Sequence, residues 1–166
     1  IILYAPTFRG NIYKGFSMLP FDGIKLIESF DENTYLLYKM HPLLKEINLP
    51  QHPRILDVCK EDTHELFALS DSLISDYSSI VFDYSLLNKP MISYIPDIQE
   101  YKQSIGLNIN FDDFPGPICT DENQLVDALK LENYDYDKLS YFQMKYMVFT
   151  DGKNTSRVVN TIDQIM

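Results

Sequence analysis

A chain of 166 residues with 45% hydrophobic and 23% charged side chains has the make-up of one ordinary globular domain, and its twelve Tyr and ten Phe carry too much burial-capable surface for a disordered segment. A formal net charge of −10 argues against a nucleic-acid partner, because a phosphate backbone is met by basic surfaces; any anionic ligand must be gripped by a small local set of donors. Cys59 and Cys119 lie far apart without CxxC or Cys/His spacing, so neither a disulfide framework nor a zinc site is indicated, and no run of about 18 apolar residues offers a membrane span.

Short apolar runs alternate with helical stretches, the pattern of a parallel sheet with crossover helices. Residues 1–5 read as a buried strand ended by Pro6; the absence of an initiator Met or leader before it is expected of a domain excised from a larger polypeptide. Ile24, Leu26, Ile27 and Phe30 share one helical face over 21–30, and 34–40 returns to a strand rhythm. Residues 54–58 form a third strand, followed by a helix that Asp62 caps, with Glu65 three residues on, running through Leu69. A fourth strand, 72–76, leads to Ser78 or Ser79 as cap of a helix carrying Ile80, Val81, Tyr84 and Leu87. Asn88-Lys89-Pro90 breaks that helix before a fifth strand, 91–95, closed by Pro96. The stretch 108–119, with Phe114-Pro115-Gly116-Pro117, reads as a turn-rich loop; helices follow around 125–131 (capped by Asp121), 137–149 and 154–165. The order predicts a Rossmann-like, doubly wound parallel sheet spanning 1–166 as a single domain, with its site in the loops after Ala5, Met40, Asp76 and Ile95.

Several groups at those strand ends suit a phosphate. In Asp76-Tyr77-Ser78-Ser79, backbone N–H groups and two hydroxyls converge where a helix opens. Lys39-Met40-His41-Pro42 puts a lysine and a histidine on the same side of a strand end, suited to hold a phosphate or exchange a proton near neutral pH. Arg9, followed by Gly10, offers a bidentate guanidinium, and Lys14 adds charge to the same loop. Asp151-Gly152-Lys153-Asn154-Thr155-Ser156-Arg157 turns into the last helix with hydroxyls and basic groups. Each has a plainer reading: a serine cap, a satisfied structural histidine, a surface arginine, a capped surface helix. His52 and His64 have no comparable setting, and the adjacent Asp112 and Asp113 read as solvated rather than as metal ligands. No Walker A or Gly-x-Gly-x-x-Gly motif is present.

In this order, Tyr4-Ala5-Pro6-Thr7-Phe8-Arg9, Lys39-Met40-His41-Pro42, Ser75-Asp76-Tyr77-Ser78-Ser79 with Phe82-Asp83-Tyr84, Asn88-Lys89-Pro90 and Gly116-Pro117 resemble the CDP-glycerol glycerophosphotransferase family of teichoic-acid and capsule polymerases. The resemblance implies the donor-binding, C-terminal half of a GT-B enzyme, whose N-terminal Rossmann-like domain is absent here and without which the fragment is inactive. It implies CDP-glycerol as donor, a polymer or lipid-linked hydroxyl as acceptor, CMP as leaving group, no cofactor, and work at the inner face of the cell membrane. Onto this sequence it carries His41 as catalytic, acting on the diphosphate or the leaving CMP, and Arg9, Lys39, Ser78, Ser79, Asp83 and Arg157 as substrate-binding, Asp83 through the ribose or by bracing the loop. The general base falls outside the chain. Two departures stand out: Phe8 where the family commonly has Trp, and a tail that stops soon after Arg157, short of a closing helix back to the first domain. The alternatives are the donor half of a GT-B glycosyltransferase using a UDP- or CMP-sugar, and a non-catalytic interaction module.

Overall fold

The structure, a computed structural model, describes residues 1–11, 13, 15–44, 48–107 and 109–165. In chain order its elements are β1 (Ile2–Tyr4), β2 (Arg9–Asn11), β3 (Gly15–Ser17), α1 (Gly23–Glu28), β4 (Leu36–Tyr38), β5 (Ile55–Asp57), α2 (Thr63–Leu69), β6 (Ser72–Ser75), α3 (Ile80–Ser85), β7 (Met91–Tyr94) and α4 (Ile98–Ser104). After a 3-10 turn at Phe111–Asp113 come β8 (Ile118–Cys119), α5 (Glu122–Leu129), α6 (Tyr136–Tyr146) and α7 (Asn154–Ile165). Six strands pair in the order β5-β4-β1-β6-β7-β8, all parallel, while β2 and β3 form a separate antiparallel hairpin.

The inner strands are mostly apolar because both faces of the sheet are covered there, with Ser72, Ser75 and Ser93 buried among them, whereas edge strand β5 leaves Leu56 and Asp57 exposed. Alternate side chains go to opposite sides. Ile2, Tyr4, Leu36, Tyr38, Ile74 and Ile92 pack with Leu26 and Ile27 of α1 and Leu125 of α5. Leu3, Leu37, Leu73 and Met91 pack with Leu66 and Phe67 of α2, Tyr84 of α3, and Leu139 and Phe142 of α6. The expected Asp62 and Asp121 caps are made, each carboxylate accepting from two backbone N–H groups. Strand order reverses at β1, which has β4 on one side and β6 on the other, so the switch point lies at their carboxyl ends. The doubly wound sheet is therefore the expected one.

Four elements go beyond the sequence reading: the β2–β3 hairpin, α4, the 3-10 turn and β8. The last sits inside the stretch read as a loop. Ser93 N–H donates to Pro117 O and Ile95 N–H to Cys119 O, adding a two-residue strand at the edge. Gly116 permits this approach, since a Cβ there would stand 1.7 Å from Met91 O. Helix α7 is exposed along its length, with Val158, Ile162 and Ile165 uncovered. No helix among the described residues is long and apolar enough to cross a membrane.

Candidate functional site

The loops after β1, β4, β6 and β7 meet at the switch point, and a buried charge knot ties three of them. Asp76, 2% exposed, accepts from Thr7 N at 2.8 Å, Thr7 Oγ1 at 2.8 Å and Arg9 Nη1 at 2.8 Å. The same guanidinium donates through Nε and Nη2 to Asp97 at 2.6 and 3.2 Å, a bidentate grip of the kind that suits Arg. Its carbon lies 5.2 Å from the Tyr77 ring and 5.3 Å from the Tyr101 ring, and Tyr77 Oη donates to Asp97 Oδ1. Burial pushes the Asp76 carboxyl above the usual carboxylate range, and the guanidinium and the two Thr7 donors pull the other way. Asp97 and Asp76 push the Arg9 guanidinium further up, against burial, the largest influence on it.

On the other side of the β1 loop, Lys39, His41 and Ser78 line one small notch of 120 Å³ together with Ala5, Pro6 and Thr63. Lys39 Nζ donates to Cys59 O at 2.9 Å and Glu61 O at 2.6 Å, which pins the turn before α2 and leaves the ammonium at the notch wall. His41 is exposed; its Nδ1 accepts from Leu43 N at 3.2 Å, so the neutral ring carries its proton on Nε2. Phe8 meets the imidazole at 4.8 Å and rests in turn on Phe16 of the hairpin at 4.8 Å. The hairpin needs Gly10, with φ +89, because a Cβ there would stand 2.1 Å from Gly15 O.

The serine turn is more open than a capped helix start would be. Ser79 occupies the N-cap of α3 without a side-chain cap bond, and Ser78 Oγ accepts only a long contact from Ile80 N at 3.4 Å. Backbone N–H groups of Ser78 and Ser79 have no acceptor among the described residues. Ser78 and Ser79 also line a second small cavity of 130 Å³, with Tyr77 and Phe82. A third, much larger cleft of 910 Å³ opens between Arg9, the end of β7 and α4. Donors without acceptors, two hydroxyls and an Nε2–H at a strand-end notch can take the oxygens of a phosphate or diphosphate.

The predicted residues thus divide. Lys39, His41, Ser78 and Ser79 lie at open cavities; Arg9 borders the large cleft with every arm of its fork engaged. Asp83 is exposed on α3 and lines none of these cavities. Arg157 stands on α7, held by Asp151 at 2.6 and 2.7 Å and stacked 4.5 Å from Phe149. Lys14 lies outside the described residues. Asp113, read as solvated, instead pairs with Lys145 Nζ and Tyr146 Oη, both at 2.7 Å, so it fastens the 3-10 turn to α6. Lys89 of the Asn-Lys-Pro motif donates to Phe67 O, Ala68 O and Ser70 O, closing the carboxyl end of α2. Sequence reasoning missed Thr7, Thr63, Asp97 and Tyr101. Asp97 had a signal: in so acidic a chain, an arginine at one strand end invites a search for its carboxylate at the neighbouring ends.

The model of the family described as CDP-glycerol:poly(glycerophosphate) glycerophosphotransferase matches residues 1–164. The chain is 34% identical to a teichoic acid poly(ribitol-phosphate) polymerase of Bacillus spizizenii, over 98% of this chain and 27% of that protein. It is 33% identical to a teichoic acid glycerol-phosphate primase of Bacillus subtilis, over 100% of this chain and 44% of the relative. The solved wall teichoic acid polymerase TagF superposes with a TM-score of 0.77 at 31% identity, over 98% of this chain and 42% of that one. The chain spans well under half the length of these relatives. It belongs to the CDP-glycerol:poly(glycerophosphate) glycerophosphotransferase family.

Proposed function

We propose that this domain binds CDP-glycerol for an enzyme that passes glycerol phosphate to a hydroxyl on a teichoic-acid-type polymer or its lipid-linked start, with release of CMP. The observation that carries the reading is the notch at the switch point, where Lys39, His41 and Ser78 stand together beside the Ser78 and Ser79 N–H groups, which have no acceptor among the described residues, in a chain of this family. A variant of TagF has been solved after a soak with CDPG, which supports the same ligand here. In the reaction the acceptor oxygen attacks the β-phosphorus, a P–O bond forms, and the bond to the bridging oxygen breaks with its electron pair leaving on CMP. Negative charge spreads over the phosphoryl oxygens, so positioned donors supply most of the assistance.

Within this chain, Ser78 and Ser79 hold the diphosphate through N–H and hydroxyl groups, Lys39 adds a nearby positive charge, and His41 Nε2–H steadies the leaving phosphate. Arg9 serves by holding Asp76, Asp97 and the β1 loop in place. The proton of the acceptor hydroxyl goes to a base outside this chain, in a second Rossmann-like domain that we place, as in GT-B enzymes, across the carboxyl edge of the sheet. Calorimetry of the full-length protein with CDP-glycerol, followed by measurement of CMP release with a glycerol-phosphate acceptor, tests the reading. Binding of CDP-glycerol and acceptor-dependent CMP release are expected; a folded protein that binds neither CDP-glycerol nor CMP would sink it.

A further inference from the structure

The hairpin β2–β3 takes no part in the six-stranded sheet, and of the residues in its two strands only Arg9 and Phe16 are partly covered. Both of its feet are fixed. Arg9 is tied to Asp76 and Asp97 at the carboxyl edge of the sheet, and Leu19, two residues past β3, is buried in the core. Phe16 meets Phe8 at 4.8 Å with the ring planes 78° apart, and Phe8 meets the His41 imidazole at 4.8 Å and 63°. Edge contacts of this kind are the ones that aromatic quadrupoles favour. The hairpin register permits the first of them: Gly10 stands directly opposite Phe16 and, having no side chain, leaves the ring free to reach the residue two positions earlier, Phe8.

His41 has need of such a support. Its side chain is exposed, and the Leu43 N–H on Nδ1 is its one hydrogen bond among the described residues. That bond settles which nitrogen carries the proton, but the torsion that turns an imidazole is broad, and a single point of attachment lets the ring pivot. The Phe8 edge closes off one direction of that pivot, and Phe8 keeps its place only while something stands behind it. We infer that Phe16 is a positioning residue for the transfer step: through Phe8 it holds the His41 ring so that Nε2–H faces the notch. Phe16 itself lines neither the notch nor the cleft, so it does this without touching the donor. The inference rests on the role given to His41 above. A donor hydrogen bond to a leaving phosphate helps only when aimed, and a displacement of about 1 Å can cost on the order of 10²-fold in rate. Loosening the ring, rather than removing it, should cost less than that.

The test is a double-mutant cycle on the full-length enzyme with Phe16→Ala, His41→Ala and the pair, each assayed well below its melting point for CMP release with a glycerol-phosphate acceptor and for CDP-glycerol affinity by calorimetry. Phe16→Ala should lower kcat about tenfold and leave CDP-glycerol affinity within about twofold of wild type. In the His41→Ala background the same substitution should change the residual rate by less than about twofold, because the group through which it acts is gone. Phe16→Tyr, which keeps the ring edge, should hold the rate within about twofold of wild type. Equal losses with and without His41, a kcat in Phe16→Ala within about twofold of wild type, or a loss confined to CDP-glycerol affinity each overturn the inference and leave the donor reading intact. If His41→Ala turns over at the wild-type rate, the role of His41 falls and the inference with it. A wild type that binds neither CDP-glycerol nor CMP removes the donor reading as well.

Discussion

Arg9 and His41 both follow parallel strands at the same edge of the sheet, a few residues past the ends of β1 and β4, yet their surroundings make opposite groups of them. The Arg9 side chain is 15% exposed and all three of its nitrogens donate, to two carboxylates and to Thr7. His41 is exposed, has one nitrogen fixed by a backbone N–H, and keeps the other for whatever enters the notch. A basic residue at a strand end is thus no measure of ligand binding. What decides is how many acceptors the protein itself supplies: a guanidinium facing two carboxylates is already satisfied, whereas an imidazole with one engaged nitrogen is not.

Removing Arg9 should break the comparison most visibly. Arg9→Ala leaves Asp76, whose side chain is fully buried, without its counter-ion, and taking one partner from a buried pair costs about 3–5 kcal/mol. Urea unfolding of the variant should show that loss as a lower midpoint with little change in slope. A midpoint within experimental error of the wild type, together with lost donor binding, would instead make Arg9 a ligand residue.

His41→Ala is the complement. An exposed side chain away from core packing should change unfolding by no more than about 0.5 kcal/mol. If Nε2–H assists the leaving phosphate, turnover of the full-length enzyme should fall about 10²- to 10⁴-fold. The split between an unchanged melt and a lost rate is the result to look for, and a rate within a few-fold of wild type removes the catalytic assignment. Lys39→Met stands between the two. Its ammonium holds two backbone carbonyls of the turn before α2, so about 1–2 kcal/mol of stability should go with it. Binding of CDP-glycerol, measured on the same samples, should also weaken.

How much of this could be read beforehand depends on how local the cause is. The sheet was legible because strands covered on both faces read as short apolar runs, as in Leu3, Leu37, Leu73 and Met91, and because Asp62 and Asp121 announce the helices that follow. The strand β8 was not, since only two residues pair and what brings them in is the absence of a side chain at Gly116 against Met91 O, a contact between distant segments. At the site, Lys39, His41 and Ser78 fell together because each follows directly on a strand of the same parallel sheet. The saturation of Arg9 by Asp97 was hidden: the two lie 88 positions apart, and α4, whose N-cap Asp97 is, carries no buried residue to mark it as an amphipathic helix. The Asn-Lys-Pro motif shows the same limit. Its lysine is recognisable in sequence, but that it closes the end of α2 with three carbonyl contacts depends on tertiary placement alone.

Arg157 should give the smallest effect and the sharpest check on residue-by-residue transfer of motifs. It was expected near the donor, yet both of its terminal nitrogens go to Asp151, Nη1 also reaches Asn154, and its plane lies over Phe149. This arrangement braces the Asp151-Gly152 turn, where Gly152 takes φ +73, against the first turn of α7. Exposed pairs of this kind contribute little to global stability, so Arg157→Ala should leave the melt unchanged and CMP affinity within about twofold of wild type. The change should appear locally, as faster hydrogen exchange of the amides from Arg157 onward, whose N–H donates to Lys153 O and whose protection depends on the first turn of α7 staying closed. A tenfold or larger loss of CMP affinity without faster exchange would place Arg157 at the donor, and would require α7 to lie closer to the switch point in the full-length protein than its exposed apolar face suggests here.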